Sequence, residues 1–156
     1  FQIKGFLLKY YFRVMEYYKK RTCFFKKSFF IVILQVSSDS QITHGSNIKN
    51  NKKFINKVII DFAKAKLKNV NLVFKHHPRD RGYNNYSNEI NQISKKFGIS
   101  NNVFYIHDYF LSNIFKNPRC KGTITINSTV GFQSLYHSIP VKALGLSPYN
   151  FDGLTY

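Results

Sequence analysis

Four short segments of this chain concentrate the side chains that hydrogen-bond, carry positive charge or move protons. They are Gln35 with Ser37, Ser38 and Asp39; the run Lys75-His76-His77-Pro78-Arg79-Asp80; the pair His107-Asp108; and the turn Asn127-Ser128-Thr129-Val130-Gly131. The turn suits a phosphate. A strand that hands over directly to a helix leaves N–H groups unpaired and aims the positive end of the helix dipole at the sheet edge. Ser128 and Thr129 add hydroxyl donors, and Gly131 lets a ligand or a strand approach closely. The competing reading is that Asn127 or Ser128 simply caps the helix. A histidine before a proline, as at His77-Pro78, is held extended and can donate to a phosphate or meet a base edge. Arg79 and Arg81 can pair with an anion or with Asp80. Among the few acids near these segments (Asp39, Asp80 and Asp108), Asp39 is a weak candidate for a catalytic carboxylate, against the reading of an ordinary loop aspartate.

Several chemistries are excluded by spacing. His76 and His77 are adjacent rather than at a metal-pair spacing, and Cys23 and Cys120 form no CxxC, so no metal is expected. There is no GxxxxGK[ST] loop, no GxGxxG turn after the first strand, and no nucleophile elbow or Ser-His-Asp order. His44 and His137 read as structural or surface residues, since neither falls at a strand end.

The elements that position these segments follow from hydrophobic period. Gly5–Arg21 reads as a helix crowded with aromatics and bases, either a membrane-surface or interdomain helix or one that packs on a partner domain. Phe29–Gln35 is an apolar run of strand length, followed by a polar stretch from Val36 to Asn51. Lys52–Lys68 is an amphipathic helix on Phe54, Val58, Phe62 and Ala65. Val70–Lys75 is a second strand and His76–Tyr86 a loop. Ser87 caps a helix carrying Ile90, Ile93 and Phe97 that stops at Gly98. Val103–Ile106 is a strand, Tyr109–Phe115 a short helix, Gly122–Asn127 a strand, Ser128–Ser138 a helix and Pro140–Leu144 a fifth strand. Apolar strands alternating with helices predict an α/β, Rossmann-like parallel sheet with helices on both faces. The expected organisation is a basic aromatic helix or connection over residues 1–28 and one domain over 29–156. All four polar segments then lie at carboxyl ends of strands, where parallel sheets bind ligands.

Composition bounds the partners. The 156 residues are 44% hydrophobic and carry 24 Lys+Arg against 7 Asp+Glu, a formal net charge of +17. That excess suggests a polyanion or an anionic membrane, yet Lys, Asn, Ile, Phe and Tyr are abundant together, as an A/T-rich genome alone would give. No RNA-binding, zinc-finger or helix-turn-helix pattern supports nucleic acid. No apolar run reaches 18 residues, so no membrane-spanning helix is expected. The two cysteines suit free thiols in a reducing compartment. A chain that starts at Phe1 and stops at Tyr156 reads as a piece of a longer protein.

The same segments carry a resemblance. Ile33-Leu34-Gln35-Val36-Ser37-Ser38-Asp39-Ser40-Gln41-Ile42 is similar to the LQ-x-x-x-DSQI element of bacterial capsule polysaccharide biosynthesis proteins. Phe74–Asp80 resembles their K-x-HP-x-D element. Thr125–Phe132, then Ile139-Pro140-Val141, Leu144-Gly145, Tyr149 and Asp152-Gly153-Leu154-Thr155, resembles their NSTVG…PV…LG…Y…GLT block. The resemblance, closest to single-module members that start a Kdo linker on a phospholipid, implies the C-terminal, donor-nucleotide domain of a retaining GT-B β-Kdo glycosyltransferase using CMP-Kdo. It implies that His77 and Pro78 contact the CMP, and that Ser128 with Thr129 hold its phosphate within the Asn127–Gly131 turn. Gln35, Lys75, Arg79 and Gln133 are further possible donor-site residues. Gln133 stands where relatives often carry an acidic or small residue, and Lys142 where they carry a more apolar one. The implied partners are a nucleotide sugar, a lipid or glycolipid acceptor and capsule assembly proteins, without nucleic acid. The implied location is the cytoplasm, peripheral on the inner membrane, with no cofactor beyond the donor. The alternatives are a non-catalytic capsule assembly or export component, a basic anion-binding module, or a nucleotide-sugar epimerase on the same fold.

Overall fold

The computed structural model describes residues 6–8, 10–11, 13–15, 23–37 and 45–156. In chain order these form β1 (Ser28–Ile33), α1 (Asn51–Lys64), β2 (Val70–Lys75), α2 (Ser87–Lys96), β3 (Val103–Ile106), α3 (Leu111–Phe115), β4 (Cys120–Thr125), α4 (Val130–Tyr136) and β5 (Val141–Ala143). Short 3-10 turns precede β1 at Cys23–Lys26 and β3 at Ser100–Asn102. The described residues between 6 and 15 are helical. All strand pairs are parallel, in the order β3-β2-β1-β4-β5. Strand order therefore reverses between β1 and β4.

The continuous apolar runs have a simple cause. Successive strand residues point to opposite faces, and here each face has its own core. Val32 and Leu34 of the first strand region, with Leu72 and Phe74, pack against Phe54, Ile55, Val58 and Ile59 of α1 and Ile90 of α2. Phe29, Ile31, Ile33 and Val73 point the other way, onto Phe24, Ile106, Ile114, Phe115 and Cys120. Helices therefore cover both faces, as a parallel sheet requires. Cys120 is free and buried, and burial pushes its thiol up to about 11, so it stays protonated and unreactive. No helix among the described residues is long and apolar enough to cross a membrane.

Element ends differ from the sequence expectations for identifiable reasons. α1 stops at Lys64 instead of Lys68, because its apolar stripe is exhausted: residues 64–69 are exposed, and Lys66 and Asn69 take positive φ to turn the chain into β2. Ser87 is the first residue of α2 and not its cap; its N–H instead donates to Asn85 Oδ1 (2.9 Å). Phe97 falls just beyond the helix, half exposed, and Gly98 follows at φ +68°. β4 runs Cys120–Thr125 rather than Gly122–Asn127, since Asn127 N–H is taken by a side chain rather than by a neighbouring strand.

Phe54 is fully buried between α1 and the sheet. Phe54→Ala is expected to destabilise the fold by about 3–5 kcal/mol, read as a lowered midpoint in urea unfolding.

Candidate functional site

The carboxyl ends of β1 and β4 meet at the point where strand order reverses, which in open parallel sheets is where a crevice for ligands opens. One amide pair spans it. Gln35 Nε2 donates to Asn127 Oδ1 (2.9 Å), and Asn127 N–H donates back to Gln35 Oε1 (3.4 Å). Gln35 is itself buried and fixed from below by Asn51, whose Nδ2 donates to Gln35 O (2.7 Å) while its Oδ1 accepts from Gln35 N–H (3.3 Å). The first turn of α1 and the end of β4 are thus tied through one residue.

The 127–131 turn follows immediately. Ser128 Oγ accepts from Val130 N–H (3.3 Å), Ser128 O from Gly131 N–H (2.9 Å) and Thr129 O from Phe132 N–H (3.1 Å). This corrects the expectation of unpaired helix-start N–H groups. α4 begins only at Val130, and the N–H groups of Val130, Gly131 and Phe132 are paired within the turn while that of Ser128 donates to Thr125 Oγ1 (3.2 Å). What it presents outward is hydroxyl chemistry: Ser128, half-buried, retains its O–H as a donor, and Thr129 is exposed. The room at Gly131 is also not left for a ligand. A methyl group there would overlap the ring of Tyr149, which is buried and whose OH donates to Ser128 O.

The loop after β2 is built around Asp80. This buried carboxylate accepts from Ser37 Oγ (2.9 Å) and Asn84 Nδ2 (2.9 Å) on one oxygen and from Tyr86 OH (3.3 Å) on the other. Burial raises the Tyr86 phenol, which keeps it a donor. Arg81 does not pair with Asp80. It forks onto Asp108 with contacts of 2.8 and 3.3 Å and donates to His107 O (3.1 Å). Lys75 is buried, its Nζ donating to His107 O (2.5 Å) and His76 O (3.4 Å). Of the two adjacent histidines, His76 points in: it is buried, shares a 2.6 Å hydrogen bond with Tyr105 OH at Nδ1, and lies 4.5 Å from the His107 ring. His77 is the accessible one. Its Nδ1 accepts from Arg79 N–H (3.1 Å), so the neutral ring carries its proton at Nε2. Pro78, Arg79 and Gln133 are exposed.

On the β3 side of this loop lies a cavity of about 480 Å³ walled by Phe6, Tyr10, Arg13, Pro78, Arg79 and Phe110, with Arg13 Nε 3.2 Å from Asp108. It is cationic and aromatic. A second cavity of about 500 Å³ sits over the sheet face, between Phe62, Ile124 and Leu144, away from the polar strand ends. Asp39 and His44 lie outside the described residues, as do parts of the N-terminal helix expected over 5–21. Among the described residues no three His, Cys, Asp or Glu side chains converge as a metal site would require. The sequence reading missed Asn51, Tyr86, Tyr105 and Arg13. Asn51 and Tyr86 flank helix starts but carry no local signal of their long-range bonds, and Tyr105 reads as an ordinary strand residue.

Comparison with known proteins places this arrangement. Residues 4–156 match the family model described as capsule polysaccharide biosynthesis protein. Over 128 residues the chain is 37% identical to the Escherichia coli capsule polysaccharide export protein KpsS, covering 82% of this chain and 32% of that protein. It is 34% identical over 149 residues to the capsule polysaccharide modification protein LipB of Neisseria meningitidis serogroup A, covering 95% of this chain and 35% of LipB. The chain therefore spans about a third of the length of these curated relatives. Its fold resembles that of Thermosulfurimonas dismutans KpsC, a beta Kdo 2,7 transferase, with a TM-score of 0.62 and 23% identity, over 98% of this chain and 45% of that one.

The paired histidines set an acid limit on the site. Burial lowers His76 to about 4, against a smaller opposing pull from Asp80. Burial, then the neighbouring His76, Arg81 and Lys75, lowers His107 to about 3. Both are neutral in the folded protein, whereas in the unfolded chain they take up protons below about pH 6.5. Their contribution to stability is complete above that pH and is lost as pH falls toward about 3, because the unfolded state then binds more protons. The urea midpoint is expected to fall across this window, with a shallower slope in His107→Asn. A midpoint independent of pH would contradict the neutral buried pair.

Proposed function

The chain belongs to the family of capsule polysaccharide biosynthesis proteins, and we propose that it is the donor-binding half of a retaining, GT-B-type β-Kdo glycosyltransferase that uses CMP-Kdo. The observation that carries this reading is the Gln35–Asn127 amide pair across the strand-order reversal. It sets the Ser128 and Thr129 hydroxyls beside the crevice where a parallel sheet takes a nucleotide. In this reading those hydroxyls hold the phosphate, and His77, donating from Nε2 with Pro78 beside it, meets the CMP from the β2 loop. Arg79 adds positive charge. Lys75 and Gln35 act from beneath by fixing the loops, and Gln133 lies one turn along α4. Hydroxyl and imidazole donors fixed in advance stabilise the charge that develops on the departing CMP phosphate. Neither a metal nor another cofactor enters this scheme. The acceptor, a lipid or glycolipid, and the catalytic carboxylate are assigned to the other half of such an enzyme. The site of action is the cytoplasmic side of the inner membrane, with capsule assembly proteins as partners.

A second reading has one observation in its favour, the name of the E. coli relative as an export protein. On that reading the domain serves assembly or export without turnover. The two separate by calorimetric titration with CMP, with UMP and UDP as controls, at two salt concentrations. Saturable binding that prefers CMP and weakens in His77→Ala is expected. Ser128→Ala removes a donor to a charged group and is expected to weaken CMP by about 1.5–3 kcal/mol. Wild-type affinity in that variant would sink the phosphate assignment. Binding that ignores the base and collapses with salt would reduce the contact to the +17 net charge.

A further inference from the structure

The turn that presents Ser128 is held from two sides. On the inner side is the Gln35 amide. On the outer side is Tyr149, from the segment after β5, and its fit there is close. The residue is 1% exposed, its OH donates to the carbonyl of Ser128, and its ring stacks edge-on to Phe132 at 4.8 Å. The ring occupies the volume that any side chain at position 131 would need, so Gly131 and Tyr149 are a matched pair. The segment carrying Tyr149 is anchored independently of the turn. Asn150 Nδ2 donates to Gly145 O (2.9 Å), Gly145 N–H to Ile126 O (2.9 Å) and Leu146 N–H to Gly45 O (2.6 Å).

We propose that Tyr149 is a positioning residue: through the Ser128 carbonyl and the space over Gly131 it sets the orientation in which the Ser128 hydroxyl meets a ligand phosphate. The geometry follows from covalent chemistry. The Ser128 peptide is planar, so fixing its carbonyl oxygen fixes the direction of the following N–H and limits the backbone rotation that would swing Oγ. Because the Ser128 carbonyl also accepts from Gly131 N–H, and Oγ from Val130 N–H, loosening the carbonyl loosens the start of α4 with it. The functional consequence rests on the donor-site reading above; the positioning itself does not.

The test uses three measurements: CMP binding and amide exchange on Tyr149→Phe, and unfolding midpoints on a Gly131–Tyr149 pair of variants. Tyr149→Phe keeps the ring and removes only the hydrogen bond. It is expected to weaken CMP binding roughly three- to tenfold, the equivalent of one ordinary hydrogen bond, at a temperature where wild type and variant are both fully folded. Amide hydrogen exchange should quicken at Val130 and Gly131 and stay unchanged in β1. Gly131→Ala should lower the unfolding midpoint strongly beside Tyr149 and much less in a Tyr149→Ala background, where the methyl group has room. A Tyr149→Phe protein with a lowered midpoint but unchanged CMP affinity and unchanged exchange at 130–131 would show a merely structural residue and overturn the proposal. If the wild-type protein does not bind CMP, the donor reading fails by itself. Exchange and the Gly131–Tyr149 cycle then decide the positioning role, and additive midpoints with unaltered exchange would overturn it.

Discussion

β1 has hydrogen-bonded neighbours on both edges, β2 and β4, and a hydrophobic core on each face. Every other element is arranged about that strand. Its alternating residues Phe29, Ile31 and Ile33 against Val32 and Leu34 supply both cores, so it cannot slip by one position without exchanging the two faces. Because β1 pairs with β2 on one side and β4 on the other, successive connections leave in opposite directions, and the loops at its carboxyl end are drawn apart. The point at which such a sheet offers a ligand crevice follows from chain order and needs no dedicated element.

Polar groups at that edge are buried, and burial is tolerated because most of them are given partners, although His76 Nε2 and Arg81 Nε are buried without a hydrogen bond of their own. An unpaired buried polar group costs on the order of 1–3 kcal/mol, so a network of this size persists only when most of its groups are paired. Asp80 gathers three donors, Ser37 from beyond β1 and Asn84 and Tyr86 from its own loop. Asn51 serves Gln35 with both halves of its amide and also donates to Tyr86 OH (3.1 Å). The result is a hydrogen-bonded network beneath loops on which His77, Ser128 and Thr129 remain accessible. Bonded support below and accessibility above is the arrangement a preorganised binding site needs.

Charge acts locally here more than globally. The surplus of bases is spread along the chain, and the two described acids near the strand ends, Asp80 and Asp108, are committed to defined bonds: Asp80 to neutral donors, Asp108 to Arg81 and Arg13. That division leaves the strand-end edge positive without leaving its buried carboxylates uncompensated. The histidines divide similarly. His76 and His107 are held neutral in the interior, and His77 alone of that loop's pair reaches the surface.

Much of this was legible in the residues alone. Apolar runs at Phe29–Gln35 and Val70–Lys75, and the amphipathic stripe on Phe54, Val58 and Phe62, determined a parallel α/β sheet, because period and burial are local properties that a sequence displays directly. The polar residues following each strand were equally visible, and so were the motifs that mark the family. Strand order was not visible. That β4 rather than β2 lies across the crevice from Gln35 depends on which edge of β1 each strand joins, and no local pattern records it. The bonding of side chains was hidden for the same reason: Arg81 chooses Asp108 over its neighbour Asp80, and Gly131 makes room for Tyr149 rather than for a ligand. These partners lie 27 and 18 positions apart in the chain, respectively. The sequence by itself determined the elements and the chemical groups at their ends; only the tertiary structure decided which of those groups face each other, because proximity between distant residues is set by the packing of whole elements and not by any residue's own preference.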